Sequence, residues 1–217
     1  MTETLVVQRR NETLNYQCGQ LQDEFRKSGF QSTILKGQGV ASYYNKDISG
    51  FRQSGDIDIW VKGSWREVMT YVNSRTPNRE FDNKHTNYQC FHNTTVEVHW
   101  WPSTTVNPLY KRAVQSYYRE QAPIQCAHQV TLFNGVQICA PDSKFEAIHV
   151  LYHIYNHFLY EGVGLRQFMD LYFVLVNGHL NDADRKDILS TAKRVGLASF
   201  VPAVMWVLSY VFLMPDK

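Results

Sequence analysis

The chain has 217 residues, 44% of them hydrophobic and 19% charged, which excludes a disordered or fibrous protein and leaves one large domain or two small ones. A formal net charge of +2, with an isoelectric point near 8.3, is too mild to argue for a long nucleic acid or an anionic membrane as partner. Cys18, Cys90, Cys126 and Cys139 are scattered without a CxxC pair, so they read as free thiols of a reducing cytoplasm, and the charged start offers no apolar signal peptide.

In chain order, residues 8–28 carry a periodic Leu14, Leu21 and Phe25, and Gly29 follows as a C-terminal cap would, which predicts a helix. Ser32 to Leu35 predicts a short strand leading into Lys36-Gly37-Gln38-Gly39, then a brief helix over 40–44 and a polar loop over 45–54. Asp56 to Lys62 alternates strictly, as a half-buried strand does. Ser64 is a suitable N-cap for a helix over 65–74. Strands are expected over 87–91 and 95–100, joined by a tight turn at His92-Asn93, with an irregular or partly helical stretch over 102–120. Asn134-Gly135 predicts a hairpin between strands at 130–133 and 136–139.

After Pro141 the pattern is helical, with segments over 142–159, 164–177 and 182–195. Leu197 to Met214 then runs 18 residues without a charge, close to the ~20 that span a bilayer. Interrupted by Ser199, Pro202 and Ser209, it reads instead as a helix buried on all sides. Its covering partners are expected beyond Lys217, with the chain expected to be a fragment of a longer one. The expected organisation is an α/β core over 1–140 and a helical domain over 141–217.

Asp56 and Asp58 lie two residues apart in a strand, so their side chains share one face while Ile57, Ile59 and Val61 take the other. Paired carboxylates repel unless a cation lies between them. Glu97 repeats the pattern between Val96 and Val98. Such acids are usually solvated strand residues. Three on neighbouring strands instead make a hard-oxygen site for Mg²⁺ or Mn²⁺ and for phosphoryl transfer. A glycosidase pair would stand ~5–9.5 Å apart across a cleft, which adjacent residues do not.

The stretches Leu35-Lys36-Gly37, Arg52 to Val61 (RQSGDIDIWV) and Val96 to Trp100 (VEVHW) resemble the uncharacterised bacterial nucleotidyltransferase family of the polymerase-β-like superfamily. Its members share an LKG turn, an R-x-x-x-D-h-D-h strand (h for apolar) and a later h-E-h-H strand. His153, His157, Gly162 to Gln167 (GVGLRQ) and Asp170 resemble that family's H…G-h-G-L-R…D signature, so the likeness spans roughly residues 32–175. The resemblance implies an α+β fold, a nucleotidyltransferase core with a small mixed or antiparallel sheet and flanking helices, followed by an all-helical domain. It implies that Asp56 and Asp58 ligate metal, that Glu97 completes the triad or activates the acceptor, and that Gly37 approaches a nucleoside triphosphate neutralised by Lys36 or Arg52. A small molecule, sugar or protein side chain is the expected acceptor; the alternative is an inactive nucleotide-binding module. The broader superfamily has Ser or Gly after that glycine, whereas Gln38 stands here, which shifts the expected phosphate grip towards Lys36.

His149, His153 and His157 fall at i, i+4 and i+8 of one helix. They read as partly buried histidines, as a zinc site, or, by the resemblance, as a face on which His153 or His157 meets the nucleotide. Arg166 and Asp170, at i and i+4, make either a weak surface pair or an oriented guanidinium that binds phosphate.

Overall fold

The computed structural model describes residues 3–77 and 80–215 and divides into two compact units. The first comprises residues up to Pro102 together with Arg119–Pro141; the second comprises Ser103–Tyr118 and the residues from Asp142 onward. The elements run α1 (Glu3–Lys27), β1 (Ser32–Leu35), α2 (Lys36–Ala41), α3 (Lys46–Ser49), β2 (Asp56–Val61), α4 (Trp65–Arg75), β3 (His85–Asn87), β4 (Thr95–His99) and α5 (Lys111–Gln125). They continue with β5 (Gln129–Thr131), β6 (Gln137–Cys139), α6 (Ser143–Tyr160), α7 (Leu165–Asn177), α8 (Asp182–Arg194) and α9 (Val201–Val211).

In the first unit, four strands form a mixed sheet in the order β1-β2-β4-β3, with β2 and β4 parallel and the outer pairings antiparallel. α1 lays Leu14, Cys18, Leu21 and Phe25 on a core face at helical spacing, against Ile57, Ile59 and Val61 of β2 and Val96 and Val98 of β4. It ends as its sequence predicts. Gly29 takes φ +84°, its N–H reaches the Arg26 carbonyl, and Phe30 N–H reaches the Phe25 carbonyl at 2.9 Å, the paired bonds of a Schellman cap. Gln22 extends from the same helix to accept from Cys139 N–H and to donate to the Ser32 and Cys139 carbonyls, tying β1 and β6 to it.

Ser64 caps α4 as expected, in a reciprocal capping box with Glu67. Several expectations shift. β2 is not half-buried: from Ile57 onward both of its faces are covered, because Asp58 and Trp60 are enclosed as well. The third strand lies over 85–87 rather than 87–91, since the pairing that lasts is Asn87 with Glu97. His92-Asn93 still forms the turn, inside an isolated bridge between Phe91 and Thr94. The expected helix over 40–44 starts at Lys36, and the loop over 45–54 contains α3. The hairpin at Asn134-Gly135 exists with a longer loop: Leu132 N–H pairs with the Val136 carbonyl, leaving Phe133 in the turn and Gly135 at φ +85°.

In the second unit, Asp142 caps α6 by accepting from Phe145 N–H, and Phe145, Ile148, Leu151, Tyr152 and Ile154 are buried along it. α8 begins with an Asn181–Asp184 capping box and closes on a second Schellman cap at Gly196. The terminal apolar run is not buried on all sides among the described residues. Its helix spans only Val201–Val211; Val204 and Leu208 point inward, while Trp206 and Tyr210 stand exposed with stacked rings. No helix among the described residues is long and apolar enough to cross a membrane.

Candidate metal and phosphate site

The pleat of β2 and β4 sorts the candidate residues. Ile57, Ile59, Val96 and Val98 turn to the core; Asp56, Asp58, Glu97 and His99 share the opposite face. Parallel pairing sets Asp58 beside Glu97 and Trp60 beside His99, and the edge strand β3 sets His85 opposite His99. Leu35, the last residue of β1, is paired with Asp58, so Lys36 emerges directly above that carboxylate.

The turn after β1 is unusual. Lys36 takes φ +43°, sparsely populated for a residue with a Cβ, and Gly37 takes φ +27° with ψ −106°, so the first turn of α2 is broken there. Gly37 is therefore non-helical within the first turn of α2. The strained turn brings Lys36 Nζ to 2.9 Å from Asp58 Oδ1. Gln38 turns away into the interior, where its amide donates to the Asn15 side chain. Its bulk therefore lies in the core and not where the turn meets solvent, which explains how the turn accommodates it.

Asp58 is 4% exposed and anchors the site. Its Oδ1 accepts from Lys36 and lies 2.9 Å from His99 Nε2. Burial opposes its ionisation, but Lys36 and His99 outweigh that and hold the carboxyl well below the usual range. Glu97 is also held low, first by the hydrogen bond from His99, whose Nε2 lies 3.3 Å from Glu97 Oε2. Asp56, exposed at the start of β2, is pushed up by partial loss of water around its carboxyl and then by the Asp58 charge. Burial works against the Lys36 ammonium, yet Asp58, then Glu97 and Asp56, raise it above the ordinary lysine value. His85 is held below the ordinary imidazole value by burial and by His99. Three carboxylates around one ammonium leave an excess of negative charge that a divalent cation would neutralise.

A stability consequence follows for Asp56. Its folded-state pKa is raised, so its charge disfavours the metal-free fold at neutral pH, and this cost shrinks as pH falls below the raised value and is gone below the ordinary carboxylate value. Asp56→Asn is expected to raise the Tm of the metal-free protein at pH 7, with the gain shrinking to nothing in acid. Thermal melts across a pH series check it; an unchanged or lower Tm at pH 7 would contradict the assignment.

The remaining candidates divide between the two units. Arg52 is buried in the first, where Nη1 donates to Ser54 Oγ at 2.7 Å. Its loop is pinned by Asn11, whose amide donates to the Gly50 and Arg52 carbonyls at 2.7 Å each. In the second unit, His153 and His157 meet edge to face on α6, and His157 Nδ1 lies 3.0 Å from Glu161 Oε2. His149 is buried beside the Phe145 ring. Arg166 is exposed at the start of α7, while Asp170 is buried. Among the described residues, the α6 histidines are not a group placed to hold a metal ion; His85, Glu97 and His99 are. His85 carried no signal in the sequence. His99 did, two residues beyond Glu97 on the same strand face, but only the register shows that its ring reaches Asp58.

The crystal structure of an antigenic nucleotidyltransferase-like protein from Paracoccidioides brasiliensis is similar over 94% of each chain, with 14% identity and a TM-score of 0.47. No curated protein matches the chain. A family model described as "Uncharacterised nucleotidyltransferase" matches residues 2–212, nearly the whole length. With its mixed α+β fold and small sheet, the chain belongs to that nucleotidyltransferase family.

Proposed function

We propose that the protein is a metal-dependent nucleotidyltransferase that moves a nucleoside monophosphate from a nucleoside triphosphate to a hydroxyl or phosphate acceptor, with release of pyrophosphate. The observation that carries this reading is the convergence of Asp56, Asp58 and Glu97 on one face of two parallel strands, with Lys36 held over Asp58. The donors fit Mg²⁺ or Mn²⁺: they are hard oxygens, and their charge exceeds what Lys36 neutralises. When bound, such an ion neutralises triphosphate charge and polarises the phosphorus under attack.

The residues themselves position and neutralise. Lys36, released from Asp58, pairs with phosphate oxygens, and Gly37 leaves its turn without a side chain between backbone and phosphate. Glu97, held low by His99, is a poor proton acceptor and suits cation binding better than acceptor activation. A loose phosphoryl-transfer transition state makes little demand on a strong base. Arg52 is proposed as a further phosphate ligand, and His153, His157 and Arg166, by the family resemblance, as nucleotide-binding residues. The small net charge favours a small-molecule, sugar or protein acceptor over a long nucleic acid. The free cysteines suit a reducing, cytoplasmic setting.

Isothermal titration of the four ribonucleoside triphosphates, with and without Mg²⁺, tests the reading. Mg²⁺-dependent binding of at least one is expected, accompanied by slow pyrophosphate release when a competent acceptor is added. Binding without release under any acceptor would favour a nucleotide-binding module. No binding of any triphosphate would remove the proposal.

A further inference from the structure

The carboxylate face continues into a second set of donors that the nucleotide chemistry does not use. His85 Nε2 lies 3.7 Å from Glu97 Oε2, His99 Nε2 lies 3.3 Å from the same oxygen, and all three donor atoms fall within 4.8 Å of one another. Donors ~2.1 Å from a shared tetrahedral ion stand about 3.4 Å apart. Both histidine–glutamate spacings are already near that value, so only the two imidazoles must draw together.

The far sides of the rings favour the same outcome. His99 Nδ1 faces the Trp101 carbonyl at 3.3 Å. His85 Nδ1 faces Asp82 Oδ1 at 3.3 Å, and Asp82 is itself held by the backbone N–H groups of Lys84 and His85. An ion would displace the proton that His99 Nε2 now shares with Asp58 and Glu97, and the Trp101 carbonyl behind Nδ1 then holds the remaining ring proton; the Asp82 carboxylate beside His85 Nδ1 favours the same tautomer of that ring. No aligned hydrogen bond fixes His85 Nδ1, so a modest turn of that ring towards His99 breaks nothing. The two rings already lie 4.9 Å apart between centroids.

We propose that His85, His99 and Glu97 form a binding site for an imidazole-preferring first-row divalent ion, Zn²⁺ foremost, distinct from the oxygen-only position proposed for Mg²⁺. Two nitrogens and one carboxylate suit Zn²⁺ far better than Mg²⁺, which seeks oxygen donors and water. Asp58 Oδ1, 2.9 Å from His99 Nε2, borders the site and joins it to the Asp56–Asp58 pair. An ion here replaces the contact that now links His99 to Asp58. The site deepens the nucleotidyltransferase reading by sharing Glu97, but its existence requires no nucleotide.

Zn²⁺ titrated into the metal-free full chain, in buffer containing millimolar Mg²⁺ and no nucleotide, is the test. Binding of about one equivalent is expected, weakened at least ~10-fold by His85→Gln and unchanged by substitution of the exposed turn histidine, His92→Ala. Histidine ¹H–¹⁵N spectra of the wild type give a readout that needs no variant: Zn²⁺ should move Nε2 of His85 and His99 and leave His92 in place. Equal affinity in His85→Gln, or unmoved His85 and His99 resonances, would overturn the site. Because nucleotide is absent, failure here leaves the transferase proposal standing, and failure of triphosphate binding leaves this site standing.

Discussion

Asp58→Asn is expected to abolish the Mg²⁺ dependence of triphosphate binding, a loss of at least ~100-fold in affinity in the presence of the ion. Partners in a metal's outer shell alone are worth ~10–100-fold, and Asp58 is proposed as a direct ligand. Asparagine retains the size of the side chain and one carbonyl acceptor for Lys36, so the fold has a way to persist. Asp58→Ala is harsher. It leaves the Lys36 ammonium and the fully buried His99 ring without the carboxylate they share, a truncation of the kind that costs about 3–5 kcal/mol. A neutral amide holds the Lys36 ammonium less tightly than the carboxylate does, so Mg²⁺-free binding should persist or strengthen in Asp58→Asn. Isothermal titration at two ionic strengths separates the effects; Mg²⁺-dependent binding that survives in Asp58→Asn would rule out the assignment.

The pH dependence of that stability follows from the signs. The folded pKa of Asp58 is depressed, so its contribution is present above the ordinary carboxylate range and is lost as pH falls through the lower folded value. The Lys36 value is raised, so its contribution is present below the ordinary lysine value and is lost as pH rises through the folded one. Between those limits neither group changes charge, so the part of the stability difference between wild type and Asp58→Asn that comes from this pair should be flat.

Gly39→Ala is expected to unfold the first unit at a markedly lower temperature and to loosen Lys36 from Asp58. A Cβ at Gly39 would lie 2.5 Å from the Ile34 carbonyl oxygen and 3.6 Å from the Ala140 Cβ. The first contact is with backbone in β1, which cannot rotate aside, and β1 is fixed by four paired residues against β2. Overpacking of this kind costs typically ~1–3 kcal/mol, and a clash with strand backbone belongs at the upper end. For a chain of this size that is roughly 6–12 °C in Tm. The displaced turn carries Lys36, so Mg²⁺-free nucleotide affinity should fall as well. Gly55→Ala is the control: nothing lies within 4 Å of its added Cβ, and its effect should stay within ~0.5 kcal/mol. Equal melting of the two variants would mean that α2 can move away from β1 freely.

What could be read from the sequence was local. The shared face of Asp56 and Asp58 follows from a period of two, and the caps at Gly29 and Ser64 depend on residues within one turn of the helix end. The α+β order and the helical second half rest on the same short-range patterns. The parallel pairing that sets Glu97 beside Asp58 joins residues far apart in the chain, and hydrophobic alternation permits more than one register. The same holds for His85, which acquires meaning only where β3 meets His99. Lys36 reaches Asp58 through a positive-φ turn that propensity does not predict for lysine, and Gln38 goes inward because Asn15 of a distant helix awaits it. The terminal apolar run shows the opposite failure: composition suggested burial on every side, whereas its helix α9 buries Val204 and Leu208 and leaves Trp206 and Tyr210 exposed. Sequence alone thus determined which residues could share a strand face or close a helix, because those relations are set by backbone period and nearest neighbours. Tertiary structure alone decided which faces meet, because register and packing are properties of segments that find each other only in the folded chain.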